Sequence, residues 1–455
     1  MLWLLACEPE DAESGVVSST PSCDTLLPIV EEPVEGLAFD GNPPTSLLLL
    51  VNDTFRHDVV QFYGGDRVTM PCLQSRADHV VRFDSAYATG NWTGITTASI
   101  LTGLFPEHHG LLRVDSQSGS PQIDEPVSAP TFASHLSGLG HATLQVSGNA
   151  WISEESGLMA GFDTVKADPG EEGETDAPDI APEVRAWLNA LPSGTPFFAH
   201  FQPVDNHDPY LPQSQYIDRF IDTTAYPWPV THAAQRELTI AYPDMSEEEQ
   251  ALAREWLGGL YAAETLAVDA ELDATLATLA ATGRLDDTLV IVMGDHGESL
   301  DDDRTGYFGH GSSLRQELVR VPLLAYHPRL KPGAMAGIVR GIDVLPTALA
   351  ALGLPALDGI DGTAGGASMA YGGWWPNDDQ ALRTEAVYAV SGRVKIIRNC
   401  AGGDSAYDLD ADPTEMSPVI ELSQLEGATG LSEDLDAQVL ALQSGSTRME
   451  ACVAR

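Results

Sequence analysis

The sequence predicts an α/β fold: a doubly wound, mostly parallel sheet with a small antiparallel C-terminal subdomain. Three observations carry this. Short, unbroken apolar runs recur along the chain. Helix-like periodicity lies between them. After about residue 365 the texture changes to short strands separated by glycine-rich turns.

The first apolar run is Leu47 to Val51, and similar runs occur at Thr143–Val146, Pro196–Phe201 and Leu289–Met293. A strand buried on both faces reads as a continuous run, because neither face meets water. The clearest helix spans Ser246 to Thr282, with Leu252, Trp256, Leu260, Ala263, Leu266 and Val268 at helix-like spacing and Gly283 as its stop. Beyond residue 365, Ala386–Ser391, Val394–Arg398 and Ala406–Leu409 read as strands, followed by a helix near 431–445. The expected organisation is a lipoprotein signal remnant at 1–7, an acidic, proline-rich tether or wrapping segment at 8–45, a catalytic domain at 46–365 and a C-terminal subdomain at 366–455.

Sixty-seven acidic residues face 23 Lys and Arg, for a formal net charge of −44. Nucleic-acid binding needs clustered bases, so that class is excluded, and so is docking on anionic lipid through a polybasic patch. A solvated acidic surface that keeps the chain soluble is the plain reading; an acidic field that selects a cationic substrate is the sharper one. Leu4-Leu5-Ala6-Cys7 resembles a lipobox, in which Cys7 would carry a lipid anchor and place the protein outside the cytoplasm, in the periplasm, on the outer membrane or secreted. Cys23, Cys72, Cys400 and Cys452 then remain, and four cysteines allow three pairings. Cys23–Cys72 with Cys400–Cys452 is the pairing expected, with free buried thiols as the other reading. No later stretch reaches the roughly 20 apolar residues of a membrane span.

Two acidic clusters sit just past apolar runs: Asn52-Asp53-Thr54, and Gly294-Asp295-His296-Gly297-Glu298. Ligands of open parallel sheets bind beyond the carboxyl ends of the strands. Asp53, Asp295 and His296 arriving there suit a divalent cation, whether calcium, magnesium, manganese or zinc. Alternatively, each aspartate merely caps a following helix. In Asn91-Trp92-Thr93-Gly94-Ile95-Thr96-Thr97, Thr93 falls at a helix N-terminus, where free N–H groups favour an anion. Its hydroxyl is either a cap or a nucleophile activated by a metal, and spacing alone does not decide. The segment 212–246 is expected to shape the pocket, with Tyr216, Tyr226, Trp228 and His232 as candidate lining residues; core packing or surface decoration is the other reading for each taken singly, and the favoured one.

These blocks extend into a longer series. Asp53-Thr54-Phe55-Arg56, Ala98-Ser99-Ile100-Leu101-Thr102-Gly103 with Pro106 and His109-Gly110, Gly161-Phe162-Asp163, His207-Asp208-Pro209-Tyr210, Gly294-Asp295-His296-Gly297-Glu298, Gly309-His310-Gly311 and Tyr407-Asp408-Leu409 follow in order. Together they resemble the sulfatase family of the alkaline phosphatase superfamily from about residue 46 to 420. The resemblance implies an alkaline-phosphatase-like fold and a divalent metal held by Asp53, Thr93, Asp295 and His296. It also implies that His207 contacts the ester or protonates the leaving group, and that His310 binds the transferred group. The Asp-His pair at 295–296 is similar to the phosphonate monoester hydrolase branch.

The chain departs from the family at three threonines. Sulfatases carry Cys or Ser, followed by x-Pro-Ser-Arg, for conversion to formylglycine; here the register holds Thr93-Gly94-Ile95-Thr96-Thr97. Thr97 replaces the arginine, and Thr54 replaces the second aspartate of the usual pair. The expectation is therefore a metal-dependent hydrolase of sulfate or phosphate mono- or diesters with a Thr93 nucleophile. The substrate would be a small molecule, glycan or lipid ester. Two rival readings are a phospho-alcohol transferase acting on an envelope glycan or lipid, and an inactive, metal-stabilised binding lipoprotein.

Overall fold

A computed structural model describes residues 23, 25–111, 114–115, 122–123, 126–167, 175–374, 385–419, 421–442 and 452. Cys7 and the leader lie outside the described residues.

Among the described residues the main sheet has ten strands. Ser46–Asn52 lies near its centre, flanked in parallel by Thr288–Gly294 and Phe197–Gln202. Ala142–Ser147 and Thr164–Ala167 continue the parallel order on one side. On the other side Leu323–Tyr326 runs antiparallel to both of its neighbours, Thr288–Gly294 and Val80–Tyr87. Gly333–Arg340 then returns to parallel.

The central strand shows why the apolar runs are unbroken. Leu47, Leu49 and Val51 enter the core on one face of the sheet, and Leu48 and Leu50 enter the core on the other. Thr93–Thr102 and Gly341–Ala351 cover the first face. Ala177–Ala190 and the 35-residue helix Glu247–Ala281 cover the second. That long helix starts on a capping box in which Ser246 and Glu249 bond each other's backbone N–H groups.

The C-terminal sheet runs in the order Ala370–Trp374, Ala386–Ser391, Val394–Asn399, Asp404–Asp408, all antiparallel, and the helix Ala428–Leu442 packs on it. Its core takes in Ile95 and Phe105 from the main domain, so the subdomain buttresses the helix that begins at Thr93. The strand Ala370–Trp374 is an addition to the three read from sequence.

Residues 25–45 lie against the main body. Pro33–Val34 pairs with Gly333–Arg340 and forms the edge of the sheet there, and Phe39 bridges Leu330. Cys23 is bonded to Cys72 and Cys400 to Cys452. Among the described residues no helix is long and apolar enough to cross a membrane.

Candidate active site

The site forms where two adjacent parallel strands end. Asp53 follows Ser46–Asn52 and Asp295 follows Thr288–Gly294, and the two strands are paired through Asn52 and Gly294. Neither aspartate caps a helix: a turn follows Asp53, and an irregular segment follows His296. Asp295 instead accepts the backbone N–H groups of Thr54 at 3.1 Å and His296 at 2.7 Å through Oδ1. Thr54 holds a left-handed φ of 52°, strained for a β-branched residue. The 35-residue helix fixes that turn. Tyr261 donates its hydroxyl to Thr54 O at 2.5 Å and accepts Arg56 N–H at 2.9 Å.

Gly297 lets the second motif pack closely. A Cβ there would sit 1.9 Å from Glu317 O. The His296 ring is thereby held with Nδ1 2.9 Å from Gly297 O. A carbonyl accepts only from an N–H, so Nδ1 carries the proton and Nε2 presents its lone pair to the site.

Thr93 opens the helix Thr93–Thr102 after an extended Trp92. Its Oγ1 lies 3.1 Å from each carboxylate oxygen of Asp53 and 3.4 Å from His296 Nε2. His296 Nε2 is also 3.7 Å from Asp53 Oδ1 and 3.6 Å from Asp295 Oδ2. Donors held about 2.1 Å from one ion at tetrahedral to octahedral angles lie about 3.0–3.4 Å apart. The observed spacings are close to that range.

The electrostatics point the same way. Asp295 Oδ2 is buried with no hydrogen-bond partner. Burial, followed by repulsion from Asp53, pushes the Asp295 carboxyl well above the usual range. Burial also drives His296 well below the ordinary imidazole value, with His310 and His207 adding to the effect, so its ring is neutral and able to ligate. A cation between these groups would offset the repulsion between Asp53 and Asp295 and accept the lone pair of the neutral His296 Nε2.

The other two histidines join the same cluster. The His310 ring lies 4.7 Å from His296 and 4.9 Å from His207. Glu298, fully buried, faces His310 Nδ1 at 3.3 Å. His207 Nδ1 donates to Asp208 O at 2.7 Å, which leaves Nε2 as the other ring nitrogen. All six residues singled out from sequence, Asp53, Thr93, His207, Asp295, His296 and His310, are thus brought to one place. The two substituting threonines are also near. Thr97 bonds Gln202 at 3.2 Å, and Thr54 Oγ1 donates to Asp53 O at 2.8 Å.

Two site residues were not read from sequence as functional. Glu298 stood within the quoted motif without a role. Asn149 follows the strand Ala142–Ser147 and donates to Asp53 Oδ2 at 2.6 Å. A lone Asn after a strand reads as a turn residue, so nothing local distinguishes it.

Of the four expected lining residues, His232 lines a cavity of about 410 Å³ with Asp208, Tyr210, Arg236 and Phe308. The aromatic three take the other role read for them, core packing. Tyr216 is buried in the core built on the long helix, Tyr226 packs against that core, and Trp228 packs on Trp256 with ring centres 5.6 Å apart. The long helix presents Trp256, Leu257 and Leu260 to this side, and those aromatics cover them.

This fold, with that cluster at its strand ends, defines a hydrolase of sulfate or phosphate esters in the alkaline phosphatase superfamily. The chain belongs to the sulfatase family: the family model for sulfatases matches residues 45–354. It is 25% identical over 360 residues to an ulvan-active sulfatase of Formosa agariphila, covering 75% of this chain and 67% of that one. Its fold matches a solved structure in complex with its substrate D-glucosamine-2-N,6-O-disulfate at TM-score 0.69 and 18% identity, covering 90% and 100% of the two chains. It also matches the phosphonate monoester hydrolase of Agrobacterium radiobacter at TM-score 0.66 and 18% identity, covering 88% and 95%.

Proposed function

We propose that this chain hydrolyses a sulfate or phosphate ester with Thr93 as nucleophile and a divalent metal held by Asp53, Asp295, His296 and Thr93. The observation that carries this reading is the position of Thr93 Oγ1, at a helix N-terminus and 3.1 Å from both carboxylate oxygens of Asp53. Bound there, the metal lowers the hydroxyl's pKa and offsets charge on the transferred group.

The chain's own residues divide the remaining work. Thr93 Oγ1 attacks sulfur or phosphorus as the bond to the ester oxygen breaks in line. The free N–H groups of the helix beginning at Thr93 face the anionic group. His207, beside His310 in the cluster, gives a proton to the departing alkoxide. His310, held by Glu298, contacts the transferred group. Water then cleaves the Thr93 ester, releasing sulfate or phosphate and restoring the hydroxyl. Relatives named for ulvan and for a disulfated glucosamine support a glycan or small-molecule ester as substrate. An extracytoplasmic location, anchored through Cys7, fits the lipobox-like start.

The test is turnover of aryl sulfate, aryl phosphate and aryl phosphodiester with each divalent metal, against a Thr93→Ala control. Thr93→Ala should lower turnover of the best substrate at least about 1,000-fold with metal retained. Full activity in the variant would remove Thr93 from the chemistry. Addition of an alcohol acceptor separates hydrolysis from transfer.

A further inference from the structure

We propose that the cavity beside His207 receives the alcohol part of the ester, and that Arg236 and His232 select an alcohol carrying a second anionic group, a carboxylate or a sulfo group. The proposal rests on the ester-hydrolase reading above and names the class of leaving group.

The cavity, about 410 Å³, adjoins both histidines of the site. Asp208 on one wall follows His207 directly and accepts its Nδ1–H through the backbone oxygen. Tyr307 on another wall donates its hydroxyl to the backbone oxygen of His310. The departing alkoxide takes its proton from His207, so whatever is attached to that oxygen has this space beside it.

One helix supplies the charge. His232, Gln235, Arg236 and Thr239 recur at intervals of three and four residues along His232–Ala241 and line the cavity together. Gln235 is committed to the fold: it accepts the Tyr210 N–H at 2.9 Å and donates to Tyr210 O at 2.6 Å. Arg236 is not. Among the described residues its guanidinium has neither an ion pair nor a hydrogen bond, whereas Arg56 and Arg254 are each closed on carboxylates. Asp208 is the one carboxylate among the lining residues. Its side chain sits 3.9 Å from His207 Nδ1, is 60% exposed to water and makes no ion pair with Arg236.

A surface arginine commonly extends into water without a partner. That reading gives no reason for the guanidinium to line a recess whose other walls belong to the loops of His207 and His310. On a chain of net charge −44 a doubly charged anion is repelled at long range. An unpaired guanidinium in a recess reverses the sign locally, and the positive end of the helix at His232 adds to it. The planar fork of Arg236 matches a carboxylate or sulfo group in two parallel hydrogen bonds, and His232, one turn earlier, brings a second donor. The role is binding alone, and no bond forms or breaks in it.

The test titrates the full-length Thr93→Ala protein, loaded with metal, with phenyl, 4-carboxyphenyl and 4-sulfophenyl esters, each as sulfate and as phosphate. With Arg236 present, a charged ester should bind about 10-fold more tightly than the phenyl ester. Arg236→Ala should bring that ratio below about 2, Arg236→Glu should turn it below about 1, and His232→Ala should lower it about threefold. Preference for the 4-carboxyphenyl ester assigns the group as a carboxylate, and preference for the 4-sulfophenyl ester assigns it as a sulfo group. Each variant is compared with itself across the esters, so a general loss of folding lowers every affinity and leaves the ratio. Equal binding of charged and neutral esters, or a preference that survives Arg236→Ala, would overturn this proposal and leave the hydrolase reading standing. Binding of no ester at all would sink both. If Thr93→Ala still turns over, the nucleophile reading fails and the same ratios are read as KM.

Discussion

Two parts of the molecule bury charge equally deeply and treat it differently. In the C-terminal sheet, Lys395 and Glu415 are both fully buried and face each other at 2.8 Å. Arg398 nearby lies between Asp404 and Asp436. At the strand ends of the main sheet, Asp53 and Asp295 are buried as deeply, yet an imidazole is the basic group set beside them. Arg56 passes within two or three residues of both clusters, but its guanidinium holds Asp58 and Asp302 at 2.7 Å each. Charge that serves the fold is closed within the chain. At the sheet's carboxyl edge no Lys or Arg closes the charge among the described residues, and Asp295 Oδ2 has no hydrogen-bond partner, which is the pattern the proposed metal would complete.

The largest effect that could break this comparison comes from Asp295→Asn. Metal per chain should fall sharply and turnover should drop at least about 1,000-fold. An ion present at 100 to 1,000 times its dissociation constant adds about 2.7–4.1 kcal/mol to stability. A chelator should therefore lower the melting temperature of the wild type and leave the variant nearly unmoved. A variant that still loses stability to the chelator holds its ion elsewhere.

Next is Lys395→Met, which leaves Glu415 buried and unpaired. It should cost about 3–5 kcal/mol in urea unfolding of the full chain, and Lys395→Met with Glu415→Gln should recover most of that. A single variant losing less than about 1 kcal/mol would mean that the pair is not closed in the sense argued here. The smallest effect is expected at the exposed pair Lys331–Asp40, 3.5 Å apart. Lys331→Ala should change stability by no more than about 0.5 kcal/mol, which would confine the contrast to buried charge.

The elements legible in the sequence were those with a strong single signal. The four apolar runs are central strands because both faces are buried, and the helix-like spacing from Leu252 to Val268 with Gly283 as stop announced the long helix. Val80–Tyr87 was not legible. Its Arg82, Asp84 and Ser85 interrupt the apolar run, although it pairs on both sides in the sheet. Leu323–Tyr326 is four residues long and reversed, a relation only its neighbours in space define. In the site, the six residues carried by motifs were legible. Asn149 was not, because its orientation depends on the Trp151 backbone and on a carboxylate 96 residues earlier.

The long helix has a consequence for how this chain can vary in length. Tyr261 holds the turn after Asp53, Thr265 bonds Asn206 on the segment before His207, and Asp269 accepts the N–H groups of Cys72 and Leu73. These three anchors recur every fourth residue, so they lie along one side of a rod about 52 Å long. One inserted residue between positions 261 and 269 would swing everything beyond it by about 100° and part the anchors from their partners. Insertions outside that window leave the spacing intact. The helix thus acts as a ruler, and its middle nine positions are where deletions and insertions should be least tolerated.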